Sequence, residues 1–188
     1  MNPATEAPHR LGFFEILSGF VDISDPCYEP SVGCRASKLP TKNGTYIATV
    51  IKRESGEDQG RCMVLEAVLE DATGVWVESD HDIGVDSGQA GIFDSKRYRI
   101  DEIGRKWKAK QPKNNNRNIC ENEPWYSMCC DITCGDKQAG VIPYGVVSSS
   151  GYGDGSYSFW MRMDSGLATG FRIIFIDSEK EQEESEEP

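Results

Sequence analysis

Tyr157-Ser158-Phe159-Trp160-Met161-Arg162-Met163 is the stretch that decides the fold. Tyr157, Phe159, Met161 and Met163 alternate with Ser158, Trp160 and Arg162, a period of two that places the two sets on opposite faces of an extended chain. Asp164 to Gly170 supplies a turn, and Phe171 to Ile176 returns as a second strand. A helix would need apolar residues at three- and four-residue intervals instead. This pair predicts an antiparallel hairpin at the end of a β-rich domain.

The same signature recurs upstream. Leu11 to Ile23 is rich in aromatic and β-branched residues and is broken by Ser18-Gly19, which predicts two short strands or one bulged strand, stopped by Asp25-Pro26. Tyr46 to Lys52 and Arg61 to Glu70 are apolar runs joined by the charged, Gly-containing segment 54–60, a second hairpin. Gly74 to Glu78 reads as a further short strand. Helix is expected in two places. Ile100, Ile103 and Trp107 share one helical face, with Asp94-Ser95 as a candidate cap. Pro124 suits a first helical position, with Trp125 to Asp131 following. Between them, Arg105 to Asn118 holds six basic residues and no acid, and is expected to be an exposed loop. The expected fold is mainly β: one β-sandwich-like or strongly bent antiparallel sheet with one or two short helices.

Length and charge set further bounds. At 188 residues the chain is about one domain long. Residues 1–10 are expected to be a disordered lead-in, 11–176 the globular domain and 177–188 a disordered acidic tail. That tail carries −6 of the net −11 and lacks the apolar residues that would repay its ordering. No run approaches the roughly 18 apolar residues of a membrane helix, and residues 1–10 lack the apolar core of a signal peptide. Seven cysteines, an odd number in a chain of this length, point to free thiols and a reducing, cytoplasmic setting over a disulfide scaffold.

Four segments are poor strand material beside strands: Ser24 to Tyr28 (SDPCY), Gly84 to Asp94 (GVDSGQAGIFD), Trp125 to Asp131 (WYSMCCD) and Ser148 to Tyr157 (SSSGYGDGSY). At these places, with similar order and spacing from Leu11 to Ile176, the chain resembles an uncharacterised family of bacterial and phage proteins, a domain of unknown function. The resemblance implies a family and no reaction. In physical terms, Gly beside Asp and Ser suits tight turns in which the side chains bond their own backbone. The functional expectation is that Asp25, Asp86, Asp94 and Asp154 converge with Ser87 and Gln89 at one end of a sheet. Together with Cys27 and Tyr28 they would form a polar site for a small ligand or a partner protein. No cofactor is identified.

Other chemistries find little purchase. No D-x-D-x-D calcium loop is present, and Cys129, Cys130 and Cys134, with Cys120 nearby, lack the paired C-x2-C spacing of structural zinc, so no metal is assigned. Both phosphate-binding glycine motifs are missing. Nucleic acid is not an expected partner, although Trp107 in the basic segment would be available for stacking. The alternative function is a hydrolase or transferase using Cys27, with His81 and Asp82 or Asp86 behind it, or a carboxylate pair among Asp25, Asp86 and Asp154. A third is an acidic immunity or inhibitor protein of microbial conflict, whose charge neutralises a basic target.

Overall fold

A computed structural model describes residues 5–56, 58–111 and 122–177. Among them are thirteen strands and two helices in three layers. The outer layer is a six-stranded antiparallel sheet in the order β1 (Glu6–Ile16), β4 (Gly44–Arg53), β5 (Cys62–Leu69), β13 (Leu167–Ile174), β12 (Phe159–Asp164) and β6 (Val75–Glu78). The middle layer is a five-stranded antiparallel sheet in the order β3 (Ala36–Pro40), β2 (Phe20–Ser24), β8 (Gln89–Asp94), β10 (Gly145–Ser149) and β9 (Ala139–Ile142). Helices α1 (Asp101–Lys108) and α2 (Pro124–Thr133) cover its far face, and a ribbon of β7 (Ile83–Val85) and β11 (Gly155–Tyr157) closes one end. No helix among the described residues is long and apolar enough to cross a membrane.

The outer sheet obeys simple alternation. Tyr46, Ala48 and Val50 of β4, Leu65 and Ala67 of β5, and Phe171 and Ile173 of β13 point inward and are at most 1% exposed. They meet Val21, Ile23, Ala90, Ile92 and Val146 of the middle sheet in one core. The middle sheet is buried on both faces, because the odd-numbered positions Phe93 and Val147 turn the other way, onto Trp125, Met128 and Cys129 of α2. All six residues of β8 are therefore buried. Phe93 lies over Gly91 and over its cross-strand partner Gly145, where any Cβ would come within 2.2 Å and 2.7 Å of its ring. That ring then packs edge-on against Trp125, 5.1 Å between centroids.

Several expectations are corrected here. Residues 6–10 are not a lead-in: β1 starts at Glu6 and pairs with β4 from Glu6↔Arg53 onward. Pro8 is accommodated because β1 is an edge strand, where one side needs no N–H donor. Gln89–Asp94 is a strand, although its glycine and small residues argued otherwise; two-sided burial removes the alternation that marks a half-exposed strand. Asp94 and Ser95 do not cap α1, whose start at Ile100 has no side-chain cap. Arg105 to Lys108 belong to the last turn of α1, where cations complement the helix dipole. Residues 112–118 of the expected basic loop and 178–188 of the expected tail lie outside the described residues.

Gly104 sets the approach of the two helices, since a Cβ there would sit 2.3 Å from the Pro124 carbonyl oxygen. Gly33, by contrast, has no atom within 4 Å of a built Cβ. Gly104→Ala is expected to lower stability by about 1–3 kcal/mol through overpacking, while Gly33→Ala stays within about 0.5 kcal/mol. Urea unfolding of both variants checks this; equal midpoints would mean that α1 is not held against α2 as described.

Candidate functional site

Strand direction brings the unusual segments together. β2 runs antiparallel to β8 and β8 to β10, so the end of β2 (Ser24↔Gly91), the start of β8 and the end of β10 (Ser149↔Gln89) share one rim of the middle sheet. The β7/β11 ribbon continues that rim through the pairs Val85↔Gly155 and Ile83↔Tyr157. The Ser150 amide donates to the Gly88 carbonyl at 3.0 Å, and a Cβ on Gly88 would lie 3.8 Å from the Gly153 Cα. Helix α2 borders the rim from the far face through Gln89, whose Nε2 lies 3.5 Å from the Cys130 Sγ.

The rim is pinned by one carboxylate. Asp25 is wholly buried. Its Oδ1 accepts from the Cys27 amide (2.8 Å) and the Ser87 hydroxyl (2.6 Å), and its Oδ2 from the amides of Asp86 (2.8 Å) and Ser87 (2.7 Å). Charge-assisted bonds of this length are the strong class. From behind, the Tyr98 hydroxyl lies 2.7 Å from the Tyr28 carbonyl, and Arg99 Nη1 donates to the carbonyls of Pro26 (2.8 Å) and Cys27 (3.0 Å). Glu29 and Glu123 hold the other end of the Arg99 guanidinium, at 2.9 Å and 2.8 Å.

Around this hub the side chains are mutually bonded. Burial pushes the Tyr28 hydroxyl well above the ordinary phenol range, helped by its contacts with the Cys34 thiol and the Asp86 carboxylate. Burial, then the neighbouring Asp25 carboxylate, pushes the Cys27 thiol up to about 12. Tyr126 is raised by burial too, with Ser87 and Cys130 as its side-chain partners. Gln89 closes the set, its Oε1 accepting from the Thr133 hydroxyl at 2.9 Å. The six described cysteines, Cys27, Cys34, Cys62, Cys129, Cys130 and Cys134, are free thiols; Cys120 lies outside the described residues.

The structure thus brings Asp25, Cys27, Tyr28, Asp86, Ser87 and Gln89 to one place. Asp154 stands beside them in the Ser150–Gly155 turn, exposed like Asp86. Asp94 does not join. It ends β8 on the opposite rim, about 17 Å away at strand rise, where it accepts from the amides of Leu17 (2.7 Å), Ser18 (2.8 Å) and Lys96 (2.9 Å). Asp25 and Asp94 spend their oxygens on the chain itself and the Ser87 hydroxyl is given to Asp25, so the exposed carboxylates of this rim are Asp86 and Asp154. Sequence reasoning missed Tyr98, Arg99 and Tyr126. Only Tyr126 carried a signal, by lying within a segment already marked as unusual. No group of three or more His, Cys, Asp or Glu that could hold a metal occurs among the described residues.

Asp25→Ala would leave four donors facing an apolar gap. It is expected to cost about 3 kcal/mol or more, whereas Asp154→Asn on the exposed turn should stay within about 0.5 kcal/mol. Denaturant midpoints decide the matter, and an Asp25 variant as stable as the parent would remove the pin from the account.

No curated protein and no solved structure matches the chain. Residues 78–167 match the model of a family described as a protein of unknown function (DUF4241). The span takes in Asp86 to Asp94, helix α2 and the Ser148–Tyr157 turn, and leaves out Ser24 to Tyr28. Over the stretch that builds most of the rim, the chain is similar to an uncharacterised domain family.

Proposed function

We propose that the protein is a binding module whose rim recognises a cationic or hydrogen-bond-donating group on a small ligand or a partner protein. One observation carries this: the Asp86–Gly88 and Ser150–Gly155 turns are locked by buried bonds, yet present the Asp86 and Asp154 carboxylates to solvent on adjoining segments. A frame organised in advance loses little entropy when a ligand arrives. The charge of the neighbourhood agrees. A cavity of about 300 Å³ along the same ribbon is lined by Glu78, Asp82 and Asp177 with Ser156 and Ser158, and no cation is among its lining residues.

The alternative, an enzyme built on Cys27, draws less support. The side chains that set the state of the Cys27 thiol are Asp25, Asp86 and Ser87, and no histidine that could take its proton is among them. With its pKa pushed up to about 12, the Cys27 thiol stays protonated near neutral pH. Of the histidines, His9 Nε2 bonds Glu54 at 2.8 Å, and His81 is exposed. A carboxylate pair including Asp25 fares no better, since both its oxygens are already filled.

Two measurements test these statements. Spermidine and a lysine-rich peptide, titrated calorimetrically at low salt, are the probes for the rim. The double variant Asp86→Asn/Asp154→Asn is expected to weaken binding at least tenfold with an unchanged melting temperature. Binding indifferent to both substitutions, or none at millimolar probe, would end the proposal. Separately, iodoacetamide at pH 8 should modify exposed Cys34 and Cys134 first and Cys27 far more slowly, with Cys27 reacting faster only as the pH climbs toward 12. Peptide mapping that found Cys27 the fastest thiol would restore the nucleophile reading.

A further inference from the structure

The opposite side of the molecule carries a groove of a different kind. It lies between α1 and the two-residue turn joining β9 to β10, has a volume of about 340 Å³, and is walled by Trp107, Pro143 and Tyr144 with Arg97, Lys106 and Lys110 around them. No acid is among its lining residues, in a chain whose net charge is −11. Lys106 is shared with Glu102 at 3.3 Å. Arg97 and Lys110 form no ion pair among the described residues, and Arg97 rests over the Tyr144 ring, 5.2 Å from its centroid.

The turn itself is unusual. Ile142↔Gly145 closes the hairpin around Pro143-Tyr144, and Tyr144 holds φ at 66°. After a proline this is the position that favours Gly or Asn, because a side chain is disfavoured there. The surrounding structure imposes the conformation: the Asp94 amide donates to the Tyr144 carbonyl at 2.9 Å. An aromatic ring therefore stands where a glycine would sit more easily, and it walls both this groove and a neighbouring one beside Phe13 and Phe14.

We propose that this groove is a binding site for a planar aromatic anion of about nucleotide size. Trp107 and Tyr144 supply the flat apolar surface, and Arg97, Lys106 and Lys110 supply the countercharge. Size and charge choose among occupants. A cavity of about 340 Å³ suits a small molecule. A long polyanion would feel the repulsion of the whole acidic chain, whereas a compact anion answers mainly to charges within a Debye length of about 8–10 Å. The site is independent of the acidic rim.

The test is fluorescence or calorimetric titration of the full chain with adenosine monophosphate and naphthyl phosphate. Adenosine, inorganic phosphate, oligo(dT) and a glutamate-rich peptide serve as comparisons. Both aromatic phosphates are expected to bind saturably, at least tenfold more tightly than adenosine or phosphate alone, and less tightly as salt rises. Arg97→Gln and Lys110→Gln, both on exposed side chains, should together reduce that affinity at least tenfold without altering the melting temperature. Asp86→Asn/Asp154→Asn should leave it unchanged, so failure at one site does not imply failure at the other. The proposal is overturned if neither aromatic phosphate saturates at millimolar concentration, if the Arg97/Lys110 variant binds like the parent, or if only the peptide or oligo(dT) binds.

Discussion

A single buried carboxylate organises the end of this molecule where chemistry is most concentrated. Asp25 joins the SDPCY segment to the turn that opens β8, about sixty residues away, with three short bonds, and a fourth holds the Cys27 amide of its own segment. A charge in the interior is tolerable only when its lone pairs are filled, and here the donors that fill them are the turns that need fixing. The same solution appears twice more. Asp94 gathers the amides of the β1–β2 turn, and Asp22 takes the Lys38 amide, the Ser95 hydroxyl and the Arg35 guanidinium. Three aspartates on two neighbouring strands or at their ends thus set the loops at both rims of the middle sheet.

That arrangement depends on the middle sheet being covered twice. The outer sheet buries one face, α1 and α2 the other, and Phe93 spans two glycines so that its ring reaches Trp125 and Tyr98. The helices in turn bring Tyr126, Cys130 and Thr133 against Ser87 and Gln89. Core packing and the rim are therefore one construction: whatever displaces α2 also alters the surroundings of Ser87.

Much of the outer sheet was legible in the sequence, because strands with one dry face and one wet face write their geometry as alternation. Tyr157 to Met163 and Tyr46 to Lys52 are plain examples. β8 and β10 were not legible. Gln89-Ala90-Gly91-Ile92-Phe93-Asp94 has two apolar faces, and its glycine exists to admit a phenylalanine two residues along. The site was half legible. Gly-Asp and Asp-Ser pairs marked the turns, and strand pairing then carried most of them to one rim. Nothing in the residues distinguished Asp25, which serves the backbone, from Asp86, which faces outward. Asp94, in the same motif as Asp86, was drawn into the expected set although it closes the far end of the strand. Arg99 stands behind the rim without any local pattern to announce it.

The edges of the outer sheet have a bearing on solubility. β1 is eleven residues long and terminates one side of that sheet, a length that invites a second chain to add itself by backbone pairing. Pro8 interrupts the row of donors along it, and a bulge between Arg10 and Gly12 shifts its register. On the other side β6 offers only four residues, ending in Glu78, despite the exposed valines Val75 and Val77. Neither margin offers a long, regular template, so addition of a second chain is discouraged at both edges of the sheet.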